Sequence, residues 1–388
     1  MKKLILFCTM LLVASSAYAI KIVGGPVLQN VTENSFSIVW TTDKNAVAWV
    51  EIAPDDDMHF YAFERPKYFQ TVLGRKCIGK NHCVTVPRLE KGTTYRYRIY
   101  TQEVTGKGSR MRYGHVAASR IFRGRPFYAT TLNPDKESVN CLIMNDSHGS
   151  AELETVLKNK FGGKKLEEVR NTDMVIYNGG MSSTENTYVY RIWKNFLDTS
   201  VKYFAKDVPL VVGRGASESL GNLGYMYNTS FPSDTNNPYR IIRQGPVCFI
   251  LLDSGYDLKD NVENTDFTSY REQQAIWLKN ALQSPAVKEA KYRVALMHIP
   301  PVSKAAPVGK ALNKLFVPIL NEAGIDIMLC GYTEKHRLSK TSKSIKFPIL
   351  ENAPLNVITL NADSQEMTLT IEDILGNQVD KLSFKPSK

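Results

Sequence analysis

From about residue 140 onward the sequence keeps returning to short apolar runs, and this recurrence constrains the fold more than any other feature. The runs at 141–144, 174–177, 210–212, 247–252, 293–297 and 325–329 are too short for helices and apolar nearly throughout. Between them, the stretches at 151–160, 188–204, 270–282 and 310–323 carry helical spacing. Apolar strands alternating with amphipathic helices predict a layered α/β domain whose strands are covered on both faces. The tail at 356–384 returns to strict alternation. Thr368, Thr370 and Glu372 share one face there, and Leu369 and Ile371 the other.

The first third has a different rhythm. Phe36, Ile38 and Trp40 alternate with Ser37 and Val39, as in a half-buried strand, and 46–52, 83–86 and 95–100 read as further strands. Turn residues separate them at Asp55-Asp56-Asp57 and Lys91-Gly92. Tyr95 stands just after the second turn and at the head of a strand, the setting of a tyrosine corner. With Trp40 as a core anchor, this segment resembles a fibronectin type III-like β-sandwich. Residues 134–138 read as the linker. The expected organisation is therefore multidomain, β followed by α/β, with a sandwich over 20–133 and a layered domain over 139–388.

Residues 1–19 read as a signal peptide. Lys2 and Lys3 precede a short apolar run, and Ala17-Tyr18-Ala19 supplies small residues for cleavage. The run is shorter than the roughly 20 residues a bilayer needs, and no later segment is apolar enough to span one. The expectation is an exported protein, periplasmic or extracellular, in a bacterium. In that setting Cys77 and Cys83, which flank Gly79-Lys80-Asn81, suggest a disulfide across a hairpin. Cys141, Cys248 and Cys330 lie in apolar runs and read as buried thiols.

Lys and Arg number 49 against 38 Asp and Glu, a formal charge of +11. The excess is spread thinly, with no basic stripe interleaved with aromatics, which argues against nucleic acid. It favours anionic partners, such as an acidic or phosphorylated glycan, or an envelope protein.

In layered α/β domains ligands sit beyond the carboxyl ends of the strands, so the residues following each run carry the chemistry. They read Asn145-Asp146-Ser147-His148, Asn178-Gly179-Gly180, Gly213-Arg214-Gly215-Ala216-Ser217-Glu218, His298-Ile299-Pro300 and Gly331-Tyr332-Thr333-Glu334. Their order resembles the calcineurin-like metallophosphoesterases, in the purple acid phosphatase-like branch with a fibronectin-like domain in front. Gly245 to Gly255 and Gln274 to Leu278 support the resemblance. It implies a phosphoric ester hydrolase fold in which two metal ions, about 3.5–4 Å apart, activate a bridging water.

Against that pattern the motifs are degenerate. The family's Asp-x-His survives as Asp146 and His148, and its lone His as His298. The bridging Asp is replaced by Gly180, the Asn ligand by Ala216 and the proton-donating His by Ser217. The two final His ligands are replaced by Tyr332 and Glu334. Two divalent ions 4 Å apart repel by about 17 kcal/mol at an effective dielectric near 20. Gly180 has no carboxylate to offset that repulsion.

The resemblance thus implies a catalytically impaired or inactive homologue with a binding or scaffolding role, needing no cofactor or at most one divalent metal. The alternative is an atypical phosphoric ester hydrolase using a single metal held by Asp146, His148 and Glu334. Each survivor also has a plain structural role open to it. Asp146 can cap the following helix, and His148 and His298 can be held by packing. His336 lies two residues out of register with the final ligand position, Tyr332 can fill the space of the second metal, and Glu218 supports from behind.

Overall fold

A computed structural model describes residues 19–119, 124–183, 192–256, 265–304, 306 and 308–386, the side chains of 221–223 excepted. The signal peptide expected over 1–19 therefore lies outside the described residues, save Ala19. Among the described residues no helix is long and apolar enough to cross a membrane.

The N-terminal region is built from β1 (Ile22–Gln29), β2 (Phe36–Pro54), β3 (Lys67–Phe69), the small hairpin β4 (Thr71–Val72) and β5 (Arg75–Lys76), β6 (Gly79–Val86), β7 (Thr94–Thr105), β8 (Arg112–Ala118) and β9 (Phe127–Thr130). The two runs expected at 36–40 and 46–52 are one strand of 19 residues. Its first half pairs with β1 and β6, its second half with β3 and β7, and the β6 register shifts between Thr41 and Ala46. Such an irregularity bends a strand and turns its side chains. Phe36, Ile38 and Trp40 from the first half and Val50 and Ile52 from the second consequently share one core with Tyr97 and Ile99. At the head of β7 the Tyr95 phenol oxygen accepts the Glu90 backbone N–H at 3.1 Å, locking the turn between them.

The α/β region contains two six-stranded sheets. The first has the order β12 (Leu210–Gly213), β11 (Met174–Asn178), β10 (Val139–Met144), β19 (Val357–Ala362), β20 (Met367–Glu372) and β21 (Gln378–Phe384). The second runs β13 (Arg240–Gln244), β14 (Val247–Leu252), β15 (Tyr292–Met297), β16 (Ile327–Cys330), β18 (Ile349–Glu351) and β17 (Arg337–Ser339). Strands β10, β11 and β12 are parallel, as are β14, β15, β16 and β18.

Side-chain alternation explains the uniformly apolar runs. Cys141, Ile143 and Ile176 face Phe249, Leu296 and Leu329 in a core between the sheets. Their neighbours turn outward. Leu142, Met144 and Tyr177 meet α1 (Glu152–Phe161) and the helical turns at 193–203, where α3 (Asp198–Tyr203) follows the short α2 (Leu166–Arg170). On the other sheet Cys248, Ile250 and Met297 meet α5 (Phe267–Ala281) and α7 (Gly309–Ala323). Among the described residues the remaining helices are α4 (Gly221–Ser230) and α6 (Pro285–Lys288). Every strand expected from the sequence in this region is present, and β13, β17 and β18 are additional. Of the helix expected at 188–204, only the part from 192 falls within the described residues.

Two expectations for the first region are corrected. The strand at 36–40 is buried on both faces, because Val39 and Val27 pack into the helical core beside Trp193 rather than facing water. Cys77 and Cys83 are free thiols, not a bonded pair. Gln70 closes that hairpin instead: its carbonyl accepts the Cys77 N–H at 2.9 Å and its side-chain oxygen the Cys83 N–H at 3.1 Å. Cys83 packs against the helical core, and burial pushes its thiol up to about 11.

The regions are stitched together by buried polar contacts. The Leu28 N–H donates to the Ala205 carbonyl at 2.8 Å, and the Tyr97 hydroxyl to the Lys206 carbonyl at 2.7 Å. The Arg125 guanidinium grips both oxygens of Asp207 at 2.7 Å, and the Tyr128 N–H adds a third bond to that carboxylate. Asp207→Ala removes all three of these charge-assisted bonds and is expected to cost about 2 kcal/mol. Urea denaturation checks this, and an unchanged midpoint would show that Asp207 does not hold the regions together.

Candidate functional site

The carboxyl ends of both parallel strand sets meet at one place, where glycines alternate with polar and charged side chains. Asp146 follows β10, Gly179 and Gly180 follow β11, Arg214 to Glu218 follow β12, His298 follows β15, and Gly331 and Tyr332 follow β16. The structure brings Asp146, His298, Gly180, Ala216 and Tyr332 together.

The centre of the cluster is a direct contact. His298 Nε2 lies 2.7 Å from Asp146 Oδ1, and both side chains are buried. The Ala216 backbone N–H donates to His298 Nδ1 at 3.0 Å. A ring whose Nδ1 accepts must carry its proton on Nε2, so His298 is the donor to Asp146. The other carboxylate oxygen accepts the Tyr332 N–H and the Asn145 amide, each at 2.8 Å. Burial alone would raise the Asp146 pKa. The adjacent His298 and these donors outweigh it and hold the carboxyl below its ordinary value. For His298 burial opposes the charged ring, and the Asp146 carboxylate reverses the balance, so its pKa is raised.

Glu218 forms a second knot. It is fully buried, and one carboxylate oxygen accepts the N–H groups of Gly180 and Gly215, both at 3.0 Å. The other accepts the Ser182 N–H at 2.8 Å. The loops after β11 and β12 are thus tied to one anion. Asparagines complete the web between the sheets. Asn178 donates to the Leu329 carbonyl at 3.0 Å, and Asn145 and Asn352 exchange side-chain and backbone bonds.

Gly180 is the tightest point. A Cβ there would lie 2.0 Å from Asp146 Oδ1 and 2.9 Å from His298 Nε2, on a backbone with φ of 71°. Gly215 is also crowded, its missing Cβ falling 2.5 Å from the Gly180 nitrogen. The space in which the family resemblance would put two metals and a bridging carboxylate is filled by the loops themselves. Both Asp146 oxygens and both His298 nitrogens are already engaged, so the residues present do not fit a dinuclear centre.

Other candidates fall elsewhere or take other roles. His148 is half-exposed, with Nε2 3.5 Å from Asp146 Oδ1. Glu334 is exposed. Among the described residues no group of three His, Cys, Asp or Glu is placed to hold a metal. His336 is turned away and bonds Asp380 on β21 at 3.0 Å, tying the two sheets. Asp146 does not cap α1, because its acceptors are spent on His298, Asn145 and Tyr332. Tyr332 does pack over the site, its ring edge-on to His298 at 5.7 Å and its hydroxyl reaching Tyr256 at 3.3 Å. Ser217 and Ala216 are buried on the turn after β12.

Sequence reasoning missed a neighbouring cluster. The Arg214 guanidinium donates to Asp253 at 2.6 Å, Tyr270 adds a bond at 2.7 Å, and Gln274 pairs with the Asp253 backbone on both sides. The signal was a polar residue directly after the run at 247–252, but nothing in the sequence named its partners.

No protein-family model matches the sequence, and no curated protein does. Similar solved structures include GAP50, the anchor in the inner membrane complex of Plasmodium, at 13% identity and a TM-score of 0.47, covering 65% of this chain and 90% of that one. They include an uncharacterized Streptococcus pneumoniae protein described as a "predicted phosphoesterase", at 12% identity and a TM-score of 0.29, covering 64% and 99%. A 5'-nucleotidase from Candida albicans follows at 10% identity and a TM-score of 0.33, covering 66% and 52%.

Two expectations follow from this geometry. Gly180→Ala should destabilise the protein by about 2–4 kcal/mol, since the new methyl meets Asp146 on a left-handed backbone; thermal and urea unfolding will read it, and a neutral variant would refute the tight packing. The second concerns acid. The Asp146 carboxyl is below its usual value in the folded state, so its contribution is present above the unfolded Asp value near 3.9 and lost as pH falls. The stability of Asp146→Asn should therefore fall less steeply below about pH 4 than that of the native chain. Parallel slopes in urea titrations across that window would overturn the assignment.

Proposed function

We propose that this is an exported member of the calcineurin-like metallophosphoesterases whose strand-end site has become a structural hub, and that it acts by binding or scaffolding at the cell envelope. The observation that carries the reading is the Asp146–His298 hydrogen bond at 2.7 Å, with Gly180 packed against it. A carboxylate and an imidazole that bind each other directly are not available to two cations and a bridging water. The tyrosine-corner bond from Tyr95 supports a fibronectin III-like identity for the first region. The net charge of +11 favours an acidic glycan or another anionic envelope component as partner.

The test is elemental analysis of the purified full chain beside turnover of an aryl phosphate. The expected result is fewer than two tightly bound transition-metal ions per chain and no turnover above the metal-free blank. Two equivalents that resist a mild chelator would overturn the reading. Gly180→Asp, which restores the family's bridging residue by type, is expected to gain no metal and to lose stability, because its side chain must enter the space of Asp146 Oδ1. Binding is read separately, as salt-sensitive retention on an immobilised acidic polysaccharide; retention no different from that on a neutral matrix would remove the glycan from the proposal.

A further inference from the structure

A second polar constellation lies away from the strand-end loops, where the N-terminal region covers the open edge of the α/β sandwich. A cavity of about 200 Å³ is enclosed there by the β1–β2 turn at 30–33, the edge strand β13, and Ser284 and Ala286 around the start of α6. Its floor is apolar. Leu132, Met174, Val211 and Ile242 reach it from the core between the sheets. Met174 and Val211 belong to the amino-terminal parts of β11 and β12, and no residue of the Asp146–His298 cluster lines it.

Unused hydrogen-bond donors collect at this cavity. Arg240 is only 8% exposed, and its Nε is buried without a partner among the described residues. Its Nη1 makes only long contacts, 3.5 Å to Asn30 Oδ1 and 3.3 Å to the Pro232 carbonyl. Arg243 Nη1 and Ser284 Oγ, also in the lining, are likewise buried and unpartnered. Glu33 and Asp234 contribute to the wall, both exposed; the Asp234 carboxylate acts on Arg240 through space, but among the described residues neither acid makes an ion-pair contact with Arg240 or Arg243. A buried guanidinium with no ion-pair partner in contact among the described residues is costly, and unpaired buried donors add to the cost. A carboxylate relieves both, because its two oxygens match the guanidinium fork.

We infer that this cavity binds a small amphipathic carboxylate, its anionic end held by Arg240 and its apolar body resting on Leu132, Met174 and Val211. An apolar cavity of about 150 Å³ takes up benzene, so this one has room for a body of about six to eight carbons. The turn at 30–33 comes from the N-terminal region, so a bound ligand bridges the two regions and stabilises their contact by mass action.

The experiment uses the full chain with octanoate, octanol and phenyl phosphate as probes, read by calorimetric titration and thermal shift. Octanoate is expected to bind one to one and raise Tm, while octanol at the same concentration does neither. Arg240→Met should melt higher than the native chain without ligand, because the buried charge is gone, and should bind octanoate about tenfold or more weakly. An Arg240 with a purely structural role would lower Tm on substitution. Absence of octanoate binding at millimolar concentration, or equal binding by Arg240→Met, overturns the proposal. Preference for phenyl phosphate over octanoate overturns the carboxylate assignment. If Arg240→Met does not fold, Arg240→Lys keeps the charge without the fork, and unchanged octanoate affinity in that variant overturns the proposal equally. None of these outcomes depends on the metal content of the strand-end site.

Discussion

Asp146 and His298 come from the ends of strands in different sheets, and the hydrogen bond between them is the contact on which the arrangement of the strand-end loops depends. Here each satisfies the other, and the remaining acceptors of the pair are filled by backbone N–H groups from the loops after β12 and β16. Glu218 does the same for the loops after β11 and β12. Buried carboxylates are thus neutralised within the chain by hydrogen bonds, which is how a charge persists in a low-dielectric interior without a metal.

That solution demands very small residues at the points of closest approach. Gly180 and Gly215 meet backbone and carboxylate atoms where any side chain would collide. Asp146, His148 and Tyr332 all take positive φ, a conformation that costs residues other than glycine about 1–2 kcal/mol each. The loops are therefore held in shape by their hydrogen bonds rather than by local preference.

The seam between the regions is where the two halves of the chain meet as equals. Asp207 ties Arg125 and Tyr128 to the α/β region, and Val39 and Val27 give up a solvent face to pack beside Trp193. The same seam leaves the Arg240 cavity at its margin. Burial that is complete at Val39 and incomplete around Arg240 makes the seam both a source of stability and a place for a ligand.

Much of the fold was legible in the residues. The runs at 174–177, 210–212 and 247–252 are uniformly apolar because each strand is buried on both faces, and that property survives in the linear sequence. The tyrosine at the head of β7 and the small and polar residues after each strand were equally visible. That position 180 carries no carboxylate was legible as well, though its meaning rested on the resemblance of the strand-end motifs to a known family. What only the tertiary structure decided is which groups the strand-end side chains pair with. The pairing of Asp146 with His298 spans 152 residues of chain, and that of Arg214 with Asp253 spans 39. Neither leaves a periodic trace. Gln70 bonded to the Cys77 and Cys83 backbone, Val39 buried rather than exposed, and Arg240 buried with its Nε unpartnered among the described residues are likewise products of packing between distant segments. Local pattern fixes which face of an element is apolar; only the packed chain determines what that face, and each polar group at its edge, finally touches.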